Sequence, residues 1–306
     1  MRLVTRSDFD GLACAVLLEE MGVVDDYFFV HPKDVQDGKV AVTTNDVLAN
    51  VPFVPGCGLW FDHHSSEAER LQIGEVKISG LSSSAPSCAR VVYDYYGGAK
   101  KFRKFDDNGM MAAVDKSDSG DFSVNEILKP EGWVLLSFVM DPRTGLGRYR
   151  DYRVSNLALM RDMIEYCRTK TIEEILAIPD VQERVVRYFA QEQLYEEMIK
   201  TNSRAEANVL IIDLRTVEEI LSGNRFIEYA LFPKQNVSIR IIWGWQKQNI
   251  VFTVGYSITN RTCKTDIGSL MLKYGGGGHE KVGTCQVPAA EAERVCSEML
   301  QQLREK

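Results

Sequence analysis

Residues 2–21 read RLVTRSDFDGLACAVLLEEM: a β-branched run, a turn with two aspartates, then an apolar segment of helical character. The spacing predicts a strand over 2–5 and a helix over 11–21. Working outward, residues 27–30, 39–43, 59–61 and 75–78 also read as strands, and PSCARVVYDYY (86–96) reads as a helix. Strands alternating with helices predict an α/β fold with a mostly parallel sheet flanked by helices. From about 106 to 202 the pattern is helical, ending in VQERVVRYFAQEQLYEEMIKTNS, whose length suits a connecting helix. Strand signals resume in NVLIIDL, NVSIRIIWGW and NIVFTVGYSI, followed by a helix at IGSLMLKYG and another from 289 to the end. The expected organisation is an α/β domain over 1–180, a connecting helix over 181–203 and a smaller C-terminal α/β domain over 204–306.

The composition narrows the function classes. With 306 residues, 45% hydrophobic and 26% charged, the chain can bury a sizeable core. No apolar stretch approaches the roughly 20 residues that cross a bilayer, and the N-terminus opens directly on a strand, so we expect a cytoplasmic protein with no signal peptide and no membrane partner. Seven scattered cysteines, none in CxxC spacing, suggest neither a disulfide framework nor a thiolate zinc site. A net charge of −7 argues against a long track for nucleic acid but is compatible with a short anionic substrate held through metals.

In open α/β sheets, ligands bind at the carboxyl ends of the strands. Three acidic motifs read as falling there: Asp8 and Asp10 in RSDFDG, Asp46 in TTNDVL, and Asp62, His63 and His64 in FDHHSS. In extended backbone Asp62 and His64 share one side and His63 faces the other. Taken singly, an aspartate after a strand is as often a helix N-cap as a ligand, and a His-His pair can be a solvated loop. Together they would repel and desolvate one another without cations between them. Hard oxygen ligands with one or two nitrogens suit Mn²⁺ or Mg²⁺, and a pair of metals is the usual device for phosphoryl hydrolysis.

The order DFD, FDHHSS and then YGGGGH resembles the DHH/DHHA1 phosphoesterase family across nearly the whole chain. That resemblance implies an N-terminal DHH domain, a C-terminal DHHA1 domain and two divalent metals, Mn²⁺ ahead of Mg²⁺. It implies that Asp8 and Asp10 hold one metal each, that Asp46 bridges them, and that His63 ligates the second with Asp62 orienting it from behind. His64 would face the scissile phosphate. A further acid would come from AAVDKSDSGDF, where Asp118 is the choice and Asp115 the competitor. Many family members carry a histidine four residues before the first aspartate; this chain has Val4 there, so water completes that metal's coordination in our reading. In the C-terminal domain Asn260, Arg261, the loop glycines Gly276, Gly277 and Gly278, and His279 would clamp substrate, placing catalysis in a cleft between the domains.

Two basic clusters remain. AKKFRKF (99–105) reads as a solvated face. GLGRYRDYR (145–153) interleaves Arg148, Arg150 and Arg153 with Tyr149 and Tyr152, a mixture that can stack a base and hold a terminal phosphate, with Arg148 the candidate contact. The function expected is hydrolysis of linear dinucleotides such as pGpG or pApA, or of very short oligoribonucleotides, to mononucleotides. The alternatives are an exopolyphosphatase or pyrophosphatase and a non-catalytic nucleotide-binding module; a homodimer is compatible with either.

Overall fold

The computed structural model describes residues 1–64 and 79–304. The chain divides into two compact units: 1–121 with 130–188, and 122–129 with 189–306. The division therefore falls inside the long helix and assigns a short excursion to the second unit, unlike the sequence-based boundaries at 180 and 204.

In the first unit five strands lie in the order β2-β1-β3-β4-β5: β1 (Arg2–Arg6), β2 (Asp26–Val30), β3 (Asp46–Ala49), β4 (Leu59–Asp62) and β5 (Gly80–Ser82). All neighbours are parallel. Period-two alternation sends Leu3, Val47, Ala49 and Phe61 into a large core with the helices, and Val4, Leu48 and Trp60 into a smaller cluster on the other face. That second face is covered by the short helix α2 (Pro32–Gln36), through Val35, and by Val40, Val42, Val51, Phe53 and Val54, rather than by a second layer of long helices.

Helix α1 (Phe9–Glu20) has ten consecutive buried residues, Phe9 to Leu18, because it is enclosed by the sheet and by α3 (Cys88–Tyr95), α5 (Met110–Ser119) and α8 (Asn156–Thr169). A Cβ at Gly11 would sit 2.1 Å from the Arg6 carbonyl oxygen, so the helix begins hard against the end of β1. Between α3 and α8 run α4 (Ala99–Asp107), α6 (Val124–Leu128), which belongs to the second unit, and α7 (Gly132–Met140).

The strand expected over 39–43 is not formed. Residues 41–43 are irregular and Val40 and Val42 pack on the sheet face, while the strand is DVLA, beginning at Asp46. The strand expected over 75–78 lies outside the described residues, as do Ser65 and Ser66.

After α9 (Ile172–Ala177) and α10 (Pro179–Thr201), the second unit holds a six-stranded sheet, in the order β10-β11-β9-β8-β7-β6. Its strands are β6 (Ser203–Glu206), β7 (Val209–Asp213), β8 (Val237–Trp243), β9 (Ile250–Tyr256), β10 (Gly277–His279) and β11 (Val282–Val287). Only β7 and β8 pair in parallel. Helices α11 (Ile267–Leu272) and α12 (Ala292–Leu303) cover it around Ile239, Phe252, Val254, Met271 and Met299. Among the described residues no helix is long and apolar enough to cross a membrane.

Candidate metal centre

The carboxyl ends of β1, β3 and β4 lie side by side, and the acidic motifs follow two of them. Asp8 caps α1, accepting from Gly11 N–H at 3.0 Å, and so fulfils the ordinary N-cap role as well. Its carboxylate also accepts from Asn50 Nδ2 at 3.3 Å and pairs with Arg6 Nε at 3.0 Å. Asp10, 3% exposed, accepts from the backbone N–H groups of Cys88 and Ala89 at 3.0 and 2.8 Å, at the start of α3. Burial, and then the charges of Asp118 and Asp8, push the Asp10 carboxyl well above the usual range.

His63 turns Nδ1 toward the Ala85 carbonyl oxygen at 3.1 Å, so Nδ1 carries a proton and, in the neutral ring, the lone pair is on Nε2. Nε2 is buried without a hydrogen bond, 3.2 Å from Asp118 Oδ2 and 4.0 Å from Asp10 Oδ2. Asp118, in the last turn of α5, keeps its side chain 27% exposed; desolvation by the groups around it and the charge of Asp8 still push its carboxyl up, against the pull of His63 and His64. Asp10, His63 and Asp118 thus offer three ligand atoms within 4.8 Å of one another.

The two α5 acids differ in their surroundings. Asp115 is one turn earlier and already committed, accepting from Arg90 Nη2 at 2.6 Å and from Ser87 Oγ at 2.7 Å.

Two expectations are corrected. Asp62 does not stand behind His63: its Oδ1 lies 2.7 Å from His64 Nδ1, the same-side partner that extended backbone gives at i, i+2. Burial tends to lower the His64 pKa, but the contact with Asp62 and its charge outweigh that, and the net shift is upward.

Asp46 does not join the centre at all. It opens β3 opposite Arg2, at the amino edge of the sheet, four strand residues or about 13 Å from the carboxyl edge. There it accepts from Arg2 Nε at 2.6 Å and from Thr43 N–H at 2.6 Å. Asp46→Ala is therefore expected to cost stability, on the order of 1–3 kcal/mol for a charged hydrogen bond, and to leave Mn²⁺ affinity unchanged. Denaturant unfolding with a parallel metal titration checks it.

Orphaned polar atoms test whether a metal fits. Among the described residues five buried side-chain atoms lack a hydrogen-bond partner: Thr5 Oγ1, Asn50 Oδ1, Asp62 Oδ2, His63 Nε2 and Asn249 Oδ1. The first four lie at the carboxyl ends of β1, β3 and β4, where lone pairs facing a cation need no protein donor. Val4, at the position of the family histidine, is fully buried in the cluster on the far face and offers no ligand. Sequence reasoning missed Asn50 and Arg6, which carry no motif, and the α3 amides, which the Ser87 N-cap in PSCAR could have signalled.

In the second unit the loop after β9 carries Asn260 and Arg261, and β11 starts opposite Gly255, so that loop and the β10–β11 turn after His279 share one end of the sheet. Asn260 Nδ2 donates to the Lys234 carbonyl and Arg261 Nε to the Ile258 carbonyl, at 3.2 and 3.1 Å. In the first unit Arg148 Nε donates to the Gly145 carbonyl at 3.1 Å. The tyrosines beside it are not open platforms: Arg187 lies 4.2 Å from the Tyr149 ring centroid, and Arg184 3.8 Å from that of Tyr152.

A parallel α/β sheet with Asp-x-Asp and Asp-His-His at its carboxyl edge defines a hydrolase built around divalent metal. The chain is 48% identical to a pGpG-specific phosphodiesterase, PggH, from Vibrio cholerae, over 99% of this chain and 98% of that one, with a TM-score of 0.85. The chain belongs to the DHH/DHHA1 phosphoesterase family. More distant structures share the fold. An exopolyphosphatase-related protein from Bacteroides fragilis is 12% identical with a TM-score of 0.50, over 98% of this chain and 91% of that one. RecJ from Thermus thermophilus, in complex with Mn²⁺, is 13% identical with a TM-score of 0.53, over 98% of this chain and 52% of that one. No family model and no curated protein matched the sequence.

Proposed function

We propose that this protein hydrolyses pGpG and similar linear dinucleotides to mononucleotides, using two divalent ions, Mn²⁺ before Mg²⁺. The observation that carries the reading is the 48% identity to a pGpG-specific phosphodiesterase along the full length of both chains. Asp8, Asp10, His63 and Asp118 are the residues suited to hold the metals. When bound, such ions supply Lewis acidity and positive charge at the attacked phosphate. His64, oriented by Asp62, stands as the proton donor toward the phosphate or leaving oxygen. Arg148, Asn260, Arg261 and His279 are the proposed contacts to the remainder of the substrate. Mononucleotide release from pGpG, measured beside phosphate release from polyphosphate with Mn²⁺ present, tests the substrate class: turnover of polyphosphate alone would reject it.

Within YGGGGH, the surroundings of the glycines differ. A Cβ would sit 2.1 Å from the Thr284 carbonyl oxygen at Gly276 and 2.3 Å from that of Val282 at Gly278, whereas at Gly277 nothing lies within 4 Å. Packing on β11 thus accounts for Gly276 and Gly278, and the open approach at Gly277 suits a ligand. Gly277→Ala is expected to raise KM for the dinucleotide about tenfold or more, as an added methyl does in a fitted pocket, while Tm barely moves. Steady-state kinetics beside a thermal melt checks both.

A further inference from the structure

Strand β3 ends between the two acid-bearing turns. In the sheet order it lies between β1, which leads to Asp8 and Asp10, and β4, which ends at Asp62. Ala49 pairs with Thr5 on one side and Phe61 on the other, so the next residue, Asn50, stands at the middle of the constellation. Its N–H donates to the Phe61 carbonyl at 3.2 Å, and the residue is 1% exposed with φ at 57°.

Asparagine tolerates that left-handed conformation, so a turn role accounts for the backbone. It does not account for the side chain. Nδ2 donates to Asp8 Oδ1 at 3.3 Å, which identifies the nitrogen end of the amide. The other end, Oδ1, is buried with no donor. An amide oxygen left so is a destabilising feature that a native fold rarely keeps without a use.

We propose that Asn50 Oδ1 is a neutral ligand to the divalent metal, supplied by β3 between the carboxylates of β1 and β4. The assignment rests on the metal-dependent reading of this same centre. Amide oxygens are hard donors of the kind that Mg²⁺, Mn²⁺ and Ca²⁺ accept. A neutral donor adds a ligand without adding a charge to a group of four carboxylates, Asp8, Asp10, Asp62 and Asp118, and leaves more net positive charge for an anionic substrate.

Two variants test this by metal binding and melting, independently of turnover. Asn50→Gly keeps the backbone free to hold a positive φ and removes only the amide; it should weaken Mn²⁺ binding about tenfold in calorimetry. Asn50→Asp should lower Tm in EDTA, through repulsion within the acid cluster, yet bind Mn²⁺ about tenfold more tightly and show a larger Mn²⁺-induced rise in Tm than the parent protein. A residue serving only the turn would leave the Mn²⁺ response of both variants at the parent value, and that result overturns the proposal. If the parent protein binds Mn²⁺ but does not cleave pGpG, the substrate reading fails while the two affinities still decide the role of Asn50.

Discussion

His64→Ala is expected to lower kcat for pGpG by about 10²–10⁴-fold, the usual contribution of a positioned acid or base, with Mn²⁺ affinity nearly unchanged. The reason lies in how the imidazole is held. Its Nδ1 is engaged by the buried Asp62 carboxylate at 2.7 Å, which sets tautomer and ring orientation, and the side chain is 29% exposed. A group held in that way acts where charge develops in the transition state, so its loss appears in kcat more than in ground-state metal binding. Asp62→Asn should move kcat in the same direction and less far, because an amide can turn its NH₂ end toward Nδ1 and no longer fixes the tautomer. Steady-state kinetics on pGpG beside Mn²⁺ calorimetry separates the two quantities. A loss of metal in His64→Ala as severe as that in a ligand variant would show that His64 coordinates.

Asp118→Ala should give the opposite pattern: Mn²⁺ affinity falling by about 10²-fold or more, with turnover falling alongside. Even residues that merely orient metal ligands cost 10–100-fold on removal, so a carboxylate facing the metal should cost at least as much. Asp118 Oδ2 stands 3.2 Å from His63 Nε2, the ring nitrogen not engaged by the Ala85 carbonyl. Asp115→Ala is the internal comparison. That carboxylate is spent on Arg90 and Ser87, so its removal should lower Tm and spare the metal. Equal losses of Mn²⁺ affinity in the two variants would contradict the placement of Asp118.

The sequence made the α/β architecture legible because its strands and helices differ in period and because DFD and DHH sit where strands end. The third strand was not legible, for a physical reason. KVAVTT alternates β-branched and small residues as an edge strand does, whereas DVLA has only four residues, all buried, and shows no period. Taking the first for the strand moved the inferred strand end forward. Asp46 then looked like a ligand although it opens the true strand, and Asn50 at the real carboxyl end carried no motif to draw notice. The DHH triplet teaches a related lesson: two-residue alternation already paired Asp62 with His64, and the family roles redirected it to His63. The partners of Asp10 could not be read at all, since they are the amides of Cys88 and Ala89, 78 and 79 positions away.

The most direct test of the central claim is hydrolysis of 5′-phosphorylated RNAs of two to ten nucleotides by the purified protein in Mn²⁺, with EDTA as the control. The account predicts rapid conversion of the dinucleotide to mononucleotides, a steep fall in rate beyond a few nucleotides, and no turnover once the metal is chelated. Rates that hold steady as length grows, or hydrolysis that persists in EDTA, would contradict it.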